Sequence, residues 1–220
     1  MNIFKEGAVY TSTSVIQKSI PFLLMPFLTR VLSTEEYGLV AIFISTVSIY
    51  SLFIGASLNG FVRVIYHKTS IKKFRAYVGN ALAFLAVMIL IAFMITWIFD
   101  SSLSQLIGIK SNYLYLALFV AFLKFMIDMR LVIFQTMRQA FNYAKLQLTL
   151  PIIELLLVLL LVFHFHKGVE GRILSITISS FIVAIISCYL MHRAKLLYIN
   201  FNNTIYKKRN KLWVVSVFGN

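Results

Sequence analysis

Lys18, Lys124, Asp128, Arg130 and Glu154 stand in long apolar stretches, where charge is costly. A charged group at the centre of a membrane helix costs roughly 2.5–3.5 kcal/mol on insertion scales, and it is kept for a partner, a cavity or a wet path. Lys124 and Asp128 are four apart, so a helix puts them on one face where they can pair. That pair either lines a polar cavity or neutralises itself and serves packing. Arg130 follows in the same stretch. Glu154, read as early in its stretch and on the cytoplasmic side, either pairs with Arg130 or Lys18 across a bundle or lies at the interface. Thr11, Ser14 and Lys18 share a helical face with Gln17 beside it. Pro21 and Pro26 follow, and each removes a backbone hydrogen bond. A polar, kinked helix suits the wall of a hydrated cavity. The other reading starts this span near Val15 and lets Lys18 snorkel to the cytoplasmic headgroups.

Other chemistries lack material. His164 and His166 have no Asp, Glu or Cys next to them, so no metal site is expected. Cys188 is the single cysteine, which excludes an internal disulfide. There is no P-loop, Gly-rich nucleotide loop or HExxH helix, so no cofactor is expected. Asp and Glu total only 7, and most lie in or beside polar breaks. The chain reads as a carrier and not an enzyme.

The elements that must hold these residues are membrane helices. Hydrophobic residues make up 60% of the 220 and charged residues 13%, against about 45–50% and about 25% in soluble domains. Six apolar blocks run over 8–28, 39–62, 77–99, 113–134, 148–165 and 173–191. Each reaches or approaches the about 20 residues that cross a hydrocarbon core. Backbone polar groups in lipid must be satisfied internally, so the fold class is an all-α polytopic bundle. Arg and Lys collect in alternate breaks: 63–75, 135–147 and 192–211 are basic, whereas the opposite breaks hold Arg30, Lys110, Lys167 and Arg172. The positive-inside rule then puts the N-terminus in the cytoplasm and explains the net charge of +14 without nucleic acid. The basic loops also suit anionic headgroups.

Short outer breaks make consecutive spans antiparallel neighbours. Ser33 and Glu36 form a capping box that starts the second span, and Ser102 with Gln105 offers a weaker one before a short interfacial helix. Residues 1–192 read as a six-helix lobe, 193–211 as a basic cytoplasmic linker, and 212–220 as the start of a seventh helix. That last stretch covers only about 13 Å of helix, as expected for the first half of something longer or for a truncated product.

Pro26, Thr29, Arg30, Leu32, Tyr37 and Gly38 fit the pattern P-x-x-T-R-x-L-x-x-x-x-Y-G. Here the chain resembles the oligosaccharide flippases of polysaccharide biosynthesis, the O-antigen flippase (Wzx) type. They belong to the multidrug/oligosaccharidyl-lipid/polysaccharide exporter superfamily. The stretch 55–63, with Gly55, Gly60 and Arg63, is similar to that family's Gly-rich helix end. The resemblance implies the N-terminal lobe of a MATE-like protein with two six-helix lobes. It implies a bacterial inner-membrane protein that moves undecaprenyl-pyrophosphate-linked oligosaccharide for O-antigen or capsule by alternating access. Lys18, Arg30, Lys124 and Arg130 would then offset the pyrophosphate charge, and Asp128 and Glu154 would couple transport to an ion gradient. Implied partners are membrane lipid, the lipid-linked oligosaccharide, and polysaccharide polymerase and chain-length proteins. Alternatives are a drug or metabolite exporter of the same superfamily and a non-functional truncated remnant. A membrane enzyme would want a large polar outer loop, which is missing.

Overall fold

A computed structural model describes residues 3–55 and 58–196. Among them there is no strand. The helices are α1 (Ile3–Val31), α2 (Thr34–Gly55), α3 (Leu58–Lys68), α4 (Ile71–Ile98), α5 (Asp100–Ile107), α6 (Ser111–Thr136), α7 (Ala140–Val158) and α8 (Gly168–Arg193). α7 continues into π-helical turns over Leu159–His164. The expected basic linker beyond Leu196 and the expected seventh helix lie outside the described residues.

Four helices are long and apolar enough to cross a membrane: Thr34–Gly55, Lys73–Ile98, Ala140–His164 and Gly168–Arg193. This is fewer than the six blocks expected. The other two blocks fall on α1, of 29 residues, and α6, of 26 residues. Length does not set them apart; polarity does in α1, and α6 carries Lys124, Asp128 and Arg130. α4 shows what lipid-facing helix looks like here, with Val87, Leu90, Ile91, Met94, Ile95 and Trp97 all exposed. Serines and threonines in α2 return their hydroxyls to their own helix: Ser45, Thr46, Ser48 and Ser51 donate to the carbonyls four residues back at 2.8–2.9 Å. They thus add no open donor to the apolar surface.

α6 is the axis of the bundle. It is buried along most of its length and packs on α2, α8, α3, α7 and α4. α8 meets its neighbours through Gly171, Ser175, Ser179 and Ser187, all buried. Small residues at four-residue spacing let helix backbones approach closely. Ser175 and Ser179 donate to backbone carbonyls within α8 at 2.8 and 3.0 Å.

Two expectations need correction. Consecutive spans are not all neighbours: α1 lies along α7, its parallel companion, and only touches α2. Two contacts hold it, a polar one in its first half and an apolar one where Leu24, Leu28 and Leu32 pack with Val158 and Val162. The second block is described as α2, as far as Gly55, and the amphipathic α3, from Leu58. Buried Val62 anchors α3, and edge-on ring pairs Phe61–Tyr77 and Tyr66–Phe74 tie it to α4. Finally, the weaker capping box does not form: α5 starts at Asp100, and Ser104 Oγ donates to the Ser101 carbonyl.

The strong box does form. The Ser33 N–H donates to Glu36 Oε2 at 2.8 Å and the Glu36 N–H to Ser33 Oγ at 3.2 Å. Glu36 also meets the far turn, where a Cβ on Gly168 (φ 52°) would come within 3.1 Å of its Oε1. The start of α2 and the start of α8 therefore share one end of the bundle.

Candidate functional site: a charged seam between α6, α7, α8 and α1

The seam begins with an ion pair that bridges two spans. Arg172 Nη1 of α8 lies 2.6 Å from Glu154 Oε1 of α7, with side-chain exposures of 6% and 20%. Sequence reading left Arg172 in a loop, because the apolar run starts after it. The helix starts earlier, at Gly168, and carries Arg172 inward. Glu154 moves as well. α7 begins at Ala140, ahead of the apolar block, so Glu154 lies past the middle of the span and towards its C-terminal end. Its partner is neither Lys18 nor Arg130.

Lys124 of α6 lies in electrostatic range of Glu154, Asp128 and Arg172. Lys124 and Asp128 share a face as expected but form no direct salt bridge. Asp128 is exposed on a helix that is otherwise mostly buried, so this face of α6 borders an open cleft. Two cations and two carboxylates thus gather from three helices.

Towards the end of the bundle where α1 begins, the seam turns uncharged. Tyr10 of α1 and Tyr143 of α7 meet edge-on with ring centroids 5.0 Å apart. Asp128, Arg63 and Ser14 all lie within reach of Tyr143. Gln147 of α7 donates to Gln17 of α1. The Tyr10 hydroxyl and Gln147 Oε1 are buried with no protein partner, which leaves a donor and an acceptor for a polar guest. At the mouth, Arg63 Nη2 donates to Gln135 Oε1 at 2.9 Å.

The remaining expected residues are placed as follows. Lys18 stands one turn beyond Ser14, exposed and unpaired among the described residues. Arg30 is exposed in the last turn of α1, at the other end of the bundle. Arg130 is not brought to the seam: it lies about 160° round α6 from Asp128 at 3.6 residues per turn. It is 7% exposed and its guanidinium carbon sits 4.1 Å from the Phe134 ring centroid. Of the motif residues, Leu32 is buried and Tyr37 packs beside it on the α1–α7 apolar cluster. Pro26 and Thr29 are exposed, and Thr29 Oγ1 donates to the Pro26 carbonyl at 3.2 Å. A side chain on Gly38 would meet open space. The motif therefore shapes the α1–α2 turn and lies apart from the seam. His164 and His166 are exposed, and no metal-capable group of His, Cys, Asp and Glu occurs among the described residues.

Sequence reasoning missed Arg172, Tyr10, Tyr143 and Gln147. Gln147 had a usable signal, a polar residue four after Tyr143 in a stretch that then turns apolar. Tyr10 stands four before Ser14 and so continues the polar face of α1.

Several long apolar helices, with charged side chains gathered between them, define a multi-pass membrane protein. The chain belongs to the polysaccharide biosynthesis protein family, which it matches over residues 3–217. It is 28% identical over 196 residues to an uncharacterized membrane protein of Haemophilus influenzae, covering 89% of this chain and 46% of that one. It is 25% identical over 195 residues to Lsg locus putative protein 1 of the same organism, covering 88% of this chain and 46% of that one. The chain thus spans about half the length of these relatives. No solved structure matches it.

Proposed function

We propose that this chain is the N-terminal lobe of a flippase. Its cargo would be undecaprenyl-pyrophosphate-linked oligosaccharide, moved across the bacterial inner membrane for surface polysaccharide. Family membership supports the polysaccharide setting. Relatives about twice as long support a second lobe against which this one rocks. In this reading α1 and α6 also cross the membrane, giving six spans with the N-terminus in the cytoplasm.

The observation that carries the reading is the seam. A pyrophosphate cannot cross hydrocarbon without counter-charge. Lys124 and Lys18 supply it, joined by Arg172 when Glu154 releases it. Glu154 and Asp128 are the groups that couple the step to an ion gradient, and release by Glu154 frees Arg172 for the anion. Tyr10, Tyr143, Gln17 and Gln147 offer ring faces and amides to sugar rings and hydroxyls. Arg30, at the outer end, meets the anion on release. A cationic-drug exporter would want carboxylates in excess. The seam is balanced, and Lys18 and Arg63 at its edges tip it positive.

The test is export in cells whose only flippase carries Lys124→Ala or Lys18→Ala. Lipid-linked repeat units should accumulate in the inner leaflet at normal protein levels. Normal export would overturn the assignment.

A further inference from the structure

Arg130 needs another explanation, because no described carboxylate pairs with this buried cation and its Nε has no partner. It continues a ridge on α6, Phe122–Met126–Arg130, at four-residue steps. Phe122 and Met126 of that ridge, with Leu123, form one wall of a groove of about 430 Å³ whose other wall is α8, with Phe181, Ile185, Cys188 and finally His192; Arg130 comes one turn beyond Met126, past the lining itself. Phe119 and Phe181 face each other with ring centroids 6.3 Å apart. α6 and α8 run parallel, so Arg130 falls level with His192, each the same number of residues further on. The groove is apolar along its length and ends at His192, with Arg130 the next residue along the α6 ridge. Exposed Arg193 and Lys195 stand just beyond that end, which the charge pattern places at the cytoplasmic surface.

The dimensions match one leaflet. From Phe181 to His192 the groove wall covers roughly 16 Å of helix, about half of a 30 Å hydrocarbon core. Phe181, Ile185 and Tyr189 are exposed on the outside of the bundle, so the groove opens sideways towards lipid tails and away from the seam. A guanidinium is a planar fork suited to phosphate oxygens. Stacking on Phe134 fixes the plane of this one.

We propose that the α6–α8 groove seats an anionic phospholipid of the surrounding cytoplasmic leaflet, with an acyl chain along the groove and the phosphate on Arg130. Arg193 and Lys195 add the field that favours a net negative headgroup. A soluble anion would leave the groove empty, and a zwitterionic lipid would gain little from that field. The site is separate from the seam and independent of what the seam carries.

Cys188 lines the groove and is the single cysteine, so the native protein carries its own reporter. In detergent, phosphatidylglycerol should slow alkylation of Cys188 by a small maleimide about tenfold, the scale of a charge-assisted hydrogen bond. Phosphatidylcholine with the same chains and inorganic phosphate should each change it less than about twofold. Arg130→Gln should abolish the protection, and Lys124→Gln, on another face of α6, should retain it. Native mass spectrometry should show one retained phosphatidylglycerol, lost in Arg130→Gln. Ile185→Trp fills the groove from an exposed position and makes the same test if Arg130→Gln does not fold. Equal protection by phosphatidylcholine or by phosphate overturns the proposal. So does a phosphatidylglycerol retained by either groove variant, or a Cys188 already unreactive without added lipid.

Discussion

Arg172 and Glu154 meet where neither could sit alone. A buried pair gains little over an apolar one, but removing one partner strands the other, at about 3–5 kcal/mol. Glu154→Gln or Arg172→Gln should therefore each lower stability in detergent by about 3 kcal/mol. The double variant should recover at least half of the summed loss, and strictly additive melting shifts would show that the pair is not coupled. The pair also shows how far single residues could be read from the chain. Glu154 stood out as a charge in an apolar run. Arg172 did not, because hydropathy cut the run just after it, and a helix end is set by backbone geometry that hydropathy does not see. Arg130 misled in the opposite way. Two residues from Asp128 in sequence, it lies on nearly the opposite face, which helical periodicity alone would have shown.

The turns that join elements separate formed signals from unformed ones. Both hydrogen bonds of the Ser33–Glu36 box are present, so Ser33→Ala should cost about 1 kcal/mol. Ser102→Ala, in a box that does not form, should cost less than about 0.5 kcal/mol, the level of an ordinary surface change. Equal melting shifts for the two would sink the distinction. A tighter constraint sits where α8 passes the π-helical end of α7. A Cβ on Gly171 would lie 2.9 Å from Lys167 Cβ and 3.0 Å from the Leu161 carbonyl oxygen. That oxygen already accepts the Lys167 N–H at 3.1 Å, so the turn has little room to move. Gly171→Val should destabilise by about 1–3 kcal/mol through overpacking, measured by thermal unfolding against Gly38→Ala, which meets nothing. Helix positions and the first cap were legible because they depend on neighbours in the chain. The pairing of α1 with α7 was not, because short loops order helices along the chain and leave open which distant face fits which.

At the scale of the molecule the open step is from four evident spans to six. α1 and α6 are long enough to cross but carry the charges that hydropathy penalises. Their neighbours remove the penalty. α6 is enclosed by α2, α8, α3, α7 and α4, so its polar face borders the seam and is shielded from lipid. α1 turns Tyr10, Ser14 and Gln17 to α7. If both helices cross, the two ends of α6 lie in different compartments. The test is a Cys188→Ser protein carrying one cysteine at Lys110→Cys or at Arg138→Cys, both exposed just outside α6. An impermeant thiol reagent added to whole cells with a permeable outer layer should label Lys110→Cys and leave Arg138→Cys unlabelled until the inner membrane is opened. Lys5→Cys, before the polar face of α1, should behave like Arg138→Cys, and His166→Cys like Lys110→Cys. Labelling of Lys110→Cys and Arg138→Cys from the same side would mean that α6 does not span. The seam would then lie at a surface, where Lys124 and Asp128 need no partner, and the reason for reading it as a transport path would go with it.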